Sequence, residues 1–318
     1  MPPPIRLPRS RTESLAPVGG VSPLARLMSL DAIILTYVLA TVAVIILFYR
    51  RIPDAGWVAA AHLGGLSGYL ILRWASTRVA PLRVLFVVGL IALIVGIYEG
   101  MGFILPYLRD DTLPTDPAVG TAADAWLARI DQMLFGGDPT TWFTPLLTPA
   151  SVLVLQICYT SYFVLALVVL IVLLSRKRYR SFLSHTAVII GCFFTTYVGY
   201  YLWPAYGPRV FYEYAEPLPH SALSAAIYRA IDTADLIHLN AFPSGHTAVT
   251  LVYLAILFVE ARRLAWISLP LVVGLIVATV ALRYHYLIDV VAGLAVGLGW
   301  IFIGMPAVFR FDNRPNGV

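Results

Sequence analysis

The sequence predicts an all-α polytopic membrane protein with about eight transmembrane helices. Hydrophobic residues make up 59% of the 318-residue chain and charged residues 12%, whereas soluble domains contain roughly 45–50% and 25%. Several apolar stretches are also close to the ~17–25 residues that cross a bilayer as a helix. They lie at 29–49, 57–75, 84–105, 151–174, 182–203, 244–260, 264–282 and 286–308.

The first third of the chain combines a polar arm with three spans. Residues 1–28 are rich in Pro, Arg and Ser and have no signal-peptide pattern, so they predict a disordered cytoplasmic arm. The region 29–105 holds the N-terminal transmembrane helices. The span at 57–75 is the weakest of these, because three glycines lower its helix propensity.

The rest of the chain divides into an extramembrane segment, a core and a tail. Residues 106–150 predict an extracytoplasmic interfacial segment, in which Asp124–Phe135 has the apolar spacing of an amphipathic helix. The remaining five spans form the predicted catalytic core at 151–308, and 309–318 are expected to be a cytoplasmic tail.

The distribution of charge predicts the orientation. We place the N-terminus in the cytoplasm and let all eight segments span. Most of the 22 Lys and Arg residues then lie in cytoplasmic segments, and most of the 17 Asp and Glu residues lie outside. This is the pattern of the positive-inside rule, with Arg50–Arg51 as an exception. We therefore expect an integral protein of a bacterial-type plasma membrane with both termini cytoplasmic, and no nucleic-acid partner.

A turn at 241–247, Ala-Phe-Pro-Ser-Gly-His-Thr, leads directly into an apolar run. Ser244 is a favourable N-cap, so the N–H groups of Gly245 and His246 would lie at a helix N-terminus, which attracts phosphate. A histidine there can transfer a proton near neutral pH. The alternative is a capped helix whose histidine only faces water. Capping, however, does not explain a histidine where a cation is unfavourable with the helix dipole.

A second motif, His285-x-x-x-Asp289, stands where the last span begins. On a helix, residues four apart share one face and can form a hydrogen bond. A carboxylate that holds an imidazole makes the imidazole a better nucleophile or base. The alternative is a structural His–Asp pair that joins two helices.

A third motif, Trp-Pro-Ala-Tyr-Gly-Pro-Arg at 203–209, follows the fifth span. An arginine beside a rigid turn suits bidentate phosphate binding. Considered alone, the motif is more typical of an interfacial anchor. The alternating path of the spans, however, puts Arg209, His246 and His285 on the same outer membrane face. The combination predicts a phosphate-handling site.

The Pro-Ser-Gly-His turn, followed by His285-x-x-x-Asp289, resembles the type 2 phosphatidic acid phosphatase superfamily over roughly 150–308. Its members are integral membrane phosphatases and phosphotransferases with a six-helix core. The resemblance implies that His285 is the nucleophile, that Asp289 orients it, and that His246 is the general acid.

The same resemblance implies the phosphate ligands and the cofactor requirement. Ser244, the Gly245 amide and Arg209 would hold the phosphoryl oxygens. No metal and no other cofactor would be needed.

The chain departs from the superfamily's pattern in two motifs. Leu202 and Val210 replace the lysine and the proline that flank the first-motif arginine, and Thr279 replaces the arginine that precedes the catalytic histidine. Arg283 is the nearest basic residue to His285. We predict it as a substitute phosphate ligand, although on a regular helix it would point away from that histidine.

These departures bear on the reaction. Thr279, His285-Tyr286 and Asp289 are similar to the inositol phosphorylceramide synthase, or inositolphosphotransferase-like, branch. We expect a phosphotransferase that acts on a membrane lipid and passes the phospho-headgroup to or from inositol or another polyol. Gly245 is closer to ordinary lipid phosphate phosphatases, which use water as the acceptor, so that reaction remains an alternative.

Two further alternatives belong to other classes. His246, His285 and Asp289 have the residue types of a zinc site, although their spacing does not favour one. A non-catalytic transporter or scaffold would also carry ionisable residues near the membrane. That class predicts charges in the middle of spans and symmetry between halves, and the sequence shows neither clearly.

Overall fold

The structure, a computed structural model, describes residues 28–108, 120–234 and 237–314. In these ranges the chain is helical and contains no β-strand. The predicted arm lies outside the described residues except for Met28, as do 109–119 of the interfacial segment and the end of the tail. The described α-helices are α1 (Ser29–Leu47), α2 (Ala55–Arg78), α3 (Leu82–Met101), α4 (Ala122–Phe135), α5 (Pro149–Ser175), α6 (Tyr179–Leu202), α7 (Pro208–Phe211), α8 (Ala222–Ala234), α9 (Gly245–Glu260), α10 (Arg262–Ala281), α11 (Leu287–Gly299) and α12 (Met305–Asp312).

Seven helical segments of the described chain are long and apolar enough to cross a membrane. This confirms the prediction of an all-α polytopic membrane protein. α2 is continuous despite its glycines, and a Cβ added at Gly64 or Gly68 would meet no atom within 4 Å. The seven segments are Ser29–Leu47, Ala55–Arg78, Leu82–Tyr107, Pro149–Ser175, Tyr179–Leu202, Arg262–Ala281 and Leu287–Asp312.

The predicted span at 244–260 is the shorter helix α9, with 16 residues. It rises only about 24 Å at 1.5 Å per residue, less than the ~30 Å thickness of the hydrocarbon core. Helices α5, α6, α10 and α11 all pack against α9. Side chains such as Val249, Val252 and Ile256 are fully buried. Protein therefore surrounds most of α9, and Val259 in its last turn is 49% exposed.

The outer surface of the bundle is apolar. Large hydrophobic side chains such as Leu47, Trp57 and Ile303 are mostly exposed. An exposed apolar surface of this extent marks contact with lipid rather than with water.

Two glycines let α11 approach α9 backbone to backbone. A Cβ added at Gly293 would lie 2.5 Å from the carbonyl oxygen of Ser244, and one at Gly297 would lie 2.7 Å from that of Ala248. Small residues four apart permit such close helix packing in membranes. The contact holds the beginning of α11 beside the beginning of α9.

We expect Gly293→Ala to lower the thermal stability of the detergent-solubilised protein, since overpacking costs about 1–3 kcal/mol. Gly299→Ala, on the same helix, is the control, because an added Cβ there meets nothing within 4 Å. The control should melt at or slightly above the wild-type temperature, as alanine favours the helix. Equal melting temperatures for the two variants would contradict the proposed packing.

Candidate active site

His285 lies in the turn between α10 and α11, before the helix on which the sequence placed it. α10 ends at Ala281, and α11 begins at Leu287 with Tyr286 as its N-cap. The N–H groups of Tyr284 and His285 both donate to the carbonyl oxygen of Thr279, at 3.0 and 2.9 Å. Thr279 therefore fixes the backbone of the turn from the end of α10.

The predicted contact between His285 and Asp289 is present, but a helix cap produces it. Asp289 is the third residue of α11, and its Oδ2 accepts the N–H of Tyr286 at 2.9 Å. The same oxygen lies 3.4 Å from Nδ1 of His285. The expectation that both residues share one helical face was wrong. Asp289 instead reaches back over the helix N-terminus.

The protonation of His285 follows from its neighbours. Nδ1 lies 2.8 Å from the carbonyl oxygen of Ala241, which can only accept a hydrogen bond. Nδ1 therefore carries the proton, and Nε2 keeps its lone pair. Burial and the nearby His246 lower the pKa of His285 to about 3. A neutral imidazole with a free Nε2 is the form that a nucleophile requires.

His246 is a neighbour of His285 in space. Their ring centroids are 6.2 Å apart. The ring of His246 also stacks on Tyr159 at 4.6 Å and lies 4.6 Å from the ring of Tyr162. The two tyrosines of α5 thus hold the imidazole in place, and the structure brings together the two predicted catalytic histidines.

The start of α9 is linked directly to α11. Ser244 donates its N–H to the carbonyl oxygen of Asp289 at 3.0 Å. Its Oγ accepts the N–H of Thr247 at 3.3 Å, and the Ser244 side chain is fully buried. The hydroxyl therefore serves as the helix cap, and its role as a phosphate ligand stays a prediction. Gly245 is the first residue of α9, so its N–H has no acceptor within the helix.

Arg209 lies beside the turn that carries His285. Its N–H donates to the carbonyl oxygen of Arg283 at 3.0 Å, and its guanidinium carbon lies 5.1 Å from the centre of the Tyr284 ring. Gly207, with φ +94, permits this approach, because a Cβ there would lie 2.5 Å from the carbonyl oxygen of Tyr284. One guanidinium nitrogen of Arg209 is 3.1 Å from Asp232.

Arg283 is engaged with the loop that follows α7. Its guanidinium carbon lies 3.7 Å from the centre of the Tyr214 ring, and Nη1 donates to the carbonyl oxygen of Glu216 at 3.0 Å. Its backbone has φ +64, so it is not in a regular helix. These contacts give no support to the predicted role of Arg283 as a phosphate ligand, which stays a prediction.

The amphipathic helix predicted at 124–135 is present as α4, but its buried face was not recognised from the sequence. Trp126 and Leu134 are about half or more exposed, whereas Asp124 and Asp131 are fully buried. The two aspartates are seven residues apart and so lie on one face. Two acidic residues on one face of a largely apolar helix were the sequence signal that could have revealed this buried face.

Asp131 holds the start of α11. Its two carboxylate oxygens accept the N–H groups of Leu287 at 2.8 Å and Ile288 at 2.9 Å. Burial raises the pKa of Asp131, and the two N–H groups oppose that shift. The carboxylate supplies acceptors that the first turn of α11 lacks, two residues after His285.

Asp124 holds the loop that leads to Arg209. Its carboxylate accepts the N–H groups of Tyr206 at 3.1 Å and Gly207 at 2.9 Å. It also accepts the hydroxyl of Tyr286 at 3.1 Å. A single buried carboxylate therefore joins the arginine loop to the histidine turn.

A metal site finds no geometric support in the part of the chain that the structure describes. No group of three or more His, Cys, Asp or Glu residues there could hold a metal ion. His246, His285 and Asp289 do not form such a group.

Comparison with known proteins identifies one family. The family model described as the PAP2 superfamily matches residues 125–303, which is more than half of the 318-residue chain. The match begins within α4 and includes all three motifs. No match was found among the curated proteins or the solved structures.

We expect Asp131→Ala to lower the free energy of unfolding by about 1–3 kcal/mol, because two N–H groups lose their acceptors. Gln132→Ala, an exposed residue of the same helix, should leave thermal stability unchanged. Once a turnover assay is set, kcat should fall for Asp131→Ala with little change in KM, and Asp131→Asn, which keeps one acceptor, should be intermediate. Wild-type stability in Asp131→Ala would contradict the role of this carboxylate.

The pKa of His285 predicts how stability changes with pH. In the unfolded chain the imidazole binds a proton below about pH 6.5, whereas in the folded protein its pKa is about 3. The unfolded state therefore binds more protons in this window. The free energy of unfolding falls by about 2 kcal/mol as the pH is lowered from 7 to 5. His285→Gln lacks this proton uptake, so unfolding curves should show a weaker pH dependence for the variant. Parallel curves would show that His285 has an ordinary pKa.

Proposed function

The chain belongs to the PAP2 superfamily, and from this premise we propose that it is a membrane phosphotransferase acting on lipid phosphates or phosphodiesters. Membership supports activity of the phosphatase or phosphotransferase type. The observation that carries the finer proposal is the state of His285, with Nδ1 held by the Ala241 carbonyl and Nε2 free to attack phosphorus.

The first half of the reaction transfers the phosphoryl group to the protein. Nε2 of His285 attacks the phosphorus atom and forms an N–P bond, while the bond between phosphorus and the leaving oxygen breaks. His246 donates a proton to that oxygen as it leaves. The positive charge that develops on the imidazole of His285 is balanced by Asp289, whose Oδ2 lies 3.4 Å from Nδ1.

The second half returns the phosphoryl group to an acceptor. An acceptor hydroxyl gives its proton to His246, and its oxygen attacks phosphorus while the N–P bond breaks. His285 and His246 then regain their starting forms. The Arg209 guanidinium and the Gly245 N–H would stabilise the charge on the phosphoryl oxygens in both halves.

A polyol such as inositol is the acceptor that the branch-specific residues favour. Thr279 is one of these residues: its carbonyl oxygen accepts the N–H groups of Tyr284 and His285, and its hydroxyl donates to the Ile276 carbonyl, so it lies next to the turn without a charge. Water is the acceptor in the second candidate function, a lipid phosphate phosphatase, which Gly245 favours. A Cβ at Gly245 would lie 2.6 Å from the hydroxyl of Tyr200, which fills the space of a larger residue.

The membrane supplies the substrate. Arg209, His246 and His285 lie at one end of the bundle, and the clustered arginines after α5 and between α9 and α10 lie at the other. By the positive-inside rule the basic end faces the cytoplasm. We accordingly place the active site at the extracytoplasmic interface, where a lipid headgroup can enter while its tails stay in the bilayer.

The test is an assay of phosphate release and headgroup transfer on lipid substrates, run with and without inositol. His285→Ala should abolish both activities, and His246→Ala should lower them by about 10²–10⁴-fold, the usual range for general acid–base catalysis. His238→Asn, in the loop between α8 and α9, is the control and should keep wild-type activity. Asparagine tolerates the positive φ of His238.

The products identify the acceptor. Transfer that appears only with inositol would identify a transferase, and phosphate release without inositol would identify a phosphatase. Full activity in His285→Ala, or none in the wild type on any lipid phosphate, would overturn the proposal and favour a scaffold or transporter.

A further inference from the structure

Helix α8 lies against the aromatic layer of the site. The ring of Tyr228 stacks on Tyr284 at 6.3 Å, Tyr284 stacks on Tyr159 at 4.3 Å, and Tyr159 stacks on His246 at 4.6 Å. The four rings form a continuous column from α8 to the proposed general acid. Asp232 is four residues after Tyr228, so it lies on the same face of α8.

Asp232 is paired with the proposed phosphate ligand. Its Oδ1 lies 3.1 Å from Nη1 of Arg209, and the two side chains are 45% and 15% exposed. A guanidinium has five N–H donors in a planar fork, and the carboxylate engages one nitrogen. The rest of the fork can bind phosphoryl oxygens while Asp232 stays in place. A bound phosphoryl group would therefore lie close to a carboxylate.

The two arginines of this region have different surroundings. Arg283 belongs to the catalytic turn, and its guanidinium contacts Tyr214 and the Glu216 carbonyl in the loop that follows α7. The guanidinium of Arg209 lies over the Tyr284 ring of the same turn. Asp232 offsets part of the charge of Arg209.

We propose that Asp232 is a specificity-determining residue that shifts the preference of the site from phosphoryl groups with two negative charges toward those with one. This inference rests on the proposed function and adds the substrate's charge class to it. A phosphodiester carries one negative charge, whereas a phosphomonoester carries about −1.5 to −2 near pH 7. The repulsion from Asp232 scales with that charge, and it cancels part of the attraction of Arg209, which scales in the same way. The carboxylate therefore lowers the monoester-to-diester ratio of kcat/KM below that of the same site without it.

The experiment compares a monoester with a diester in the same variants. Dioctanoyl phosphatidic acid and dioctanoyl phosphatidylinositol are presented in detergent micelles, and kcat/KM is measured for each in the wild type and in Asp232→Asn. Removing the carboxylate should raise the monoester-to-diester ratio of kcat/KM by about tenfold. Glu213→Gln removes an exposed charge from the segment between α7 and α8 and should leave the ratio unchanged. Asp232→Ser repeats the test with a smaller neutral side chain.

The possible results separate this inference from the proposed function. An unchanged ratio in both Asp232 variants, or the same change in Glu213→Gln, would overturn the role of Asp232 while the enzyme itself remains active. Loss of turnover on both lipids in the two Asp232 variants, with wild-type melting temperatures, would also overturn it, since Asp232 would then be needed for turnover itself. A wild type inactive on both lipids would instead remove the proposed function and this inference with it.

Discussion

Two buried carboxylates on α4 hold the residues on which the active site depends. Asp131 accepts the first N–H groups of α11, and Asp124 accepts N–H groups of the loop before Arg209 together with the hydroxyl of Tyr286. Helix N-termini and tight loops leave backbone donors without partners, and burying such donors is costly. A helix outside the long spans thus supplies the acceptors that let the turn and the loop meet.

The neutral state of His285 is a consequence of this enclosure. The turn lies at the meeting point of α9, α10 and α11, and His285 is only 5% exposed. An imidazolium would lose its hydration there, so the neutral form is favoured, and the Ala241 carbonyl decides which nitrogen keeps the proton. The same burial that stabilises the turn therefore keeps the ring in the neutral form that the proposed attack on phosphorus requires. Arg209, less buried and paired with Asp232, keeps its charge at the edge of the site.

Much of this arrangement could be predicted from the sequence. The apolar stretches predicted the membrane helices, and the family match includes the motifs that carry His246, His285 and Asp289. The helix cap at Ser244 was also predicted, and its Oγ accepts the N–H of Thr247. The short length of α9 was also predicted, but its enclosure by other helices was not, because hydropathy does not report whether a span faces lipid or protein.

The sequence alone determined the chemistry available to this protein: a membrane-embedded helical bundle with phosphate-binding and proton-transferring residue types at the ends of its later spans. Tertiary structure decided how these groups are used. The Ala241 carbonyl selects the tautomer of His285, Asp131 caps α11 from 156 residues away, and Asp232 pairs with Arg209. Every residue has a backbone carbonyl, so the sequence does not mark which one accepts a hydrogen bond. Contacts between distant residues form only when helices pack. For these reasons no local sequence pattern could reveal the three contacts.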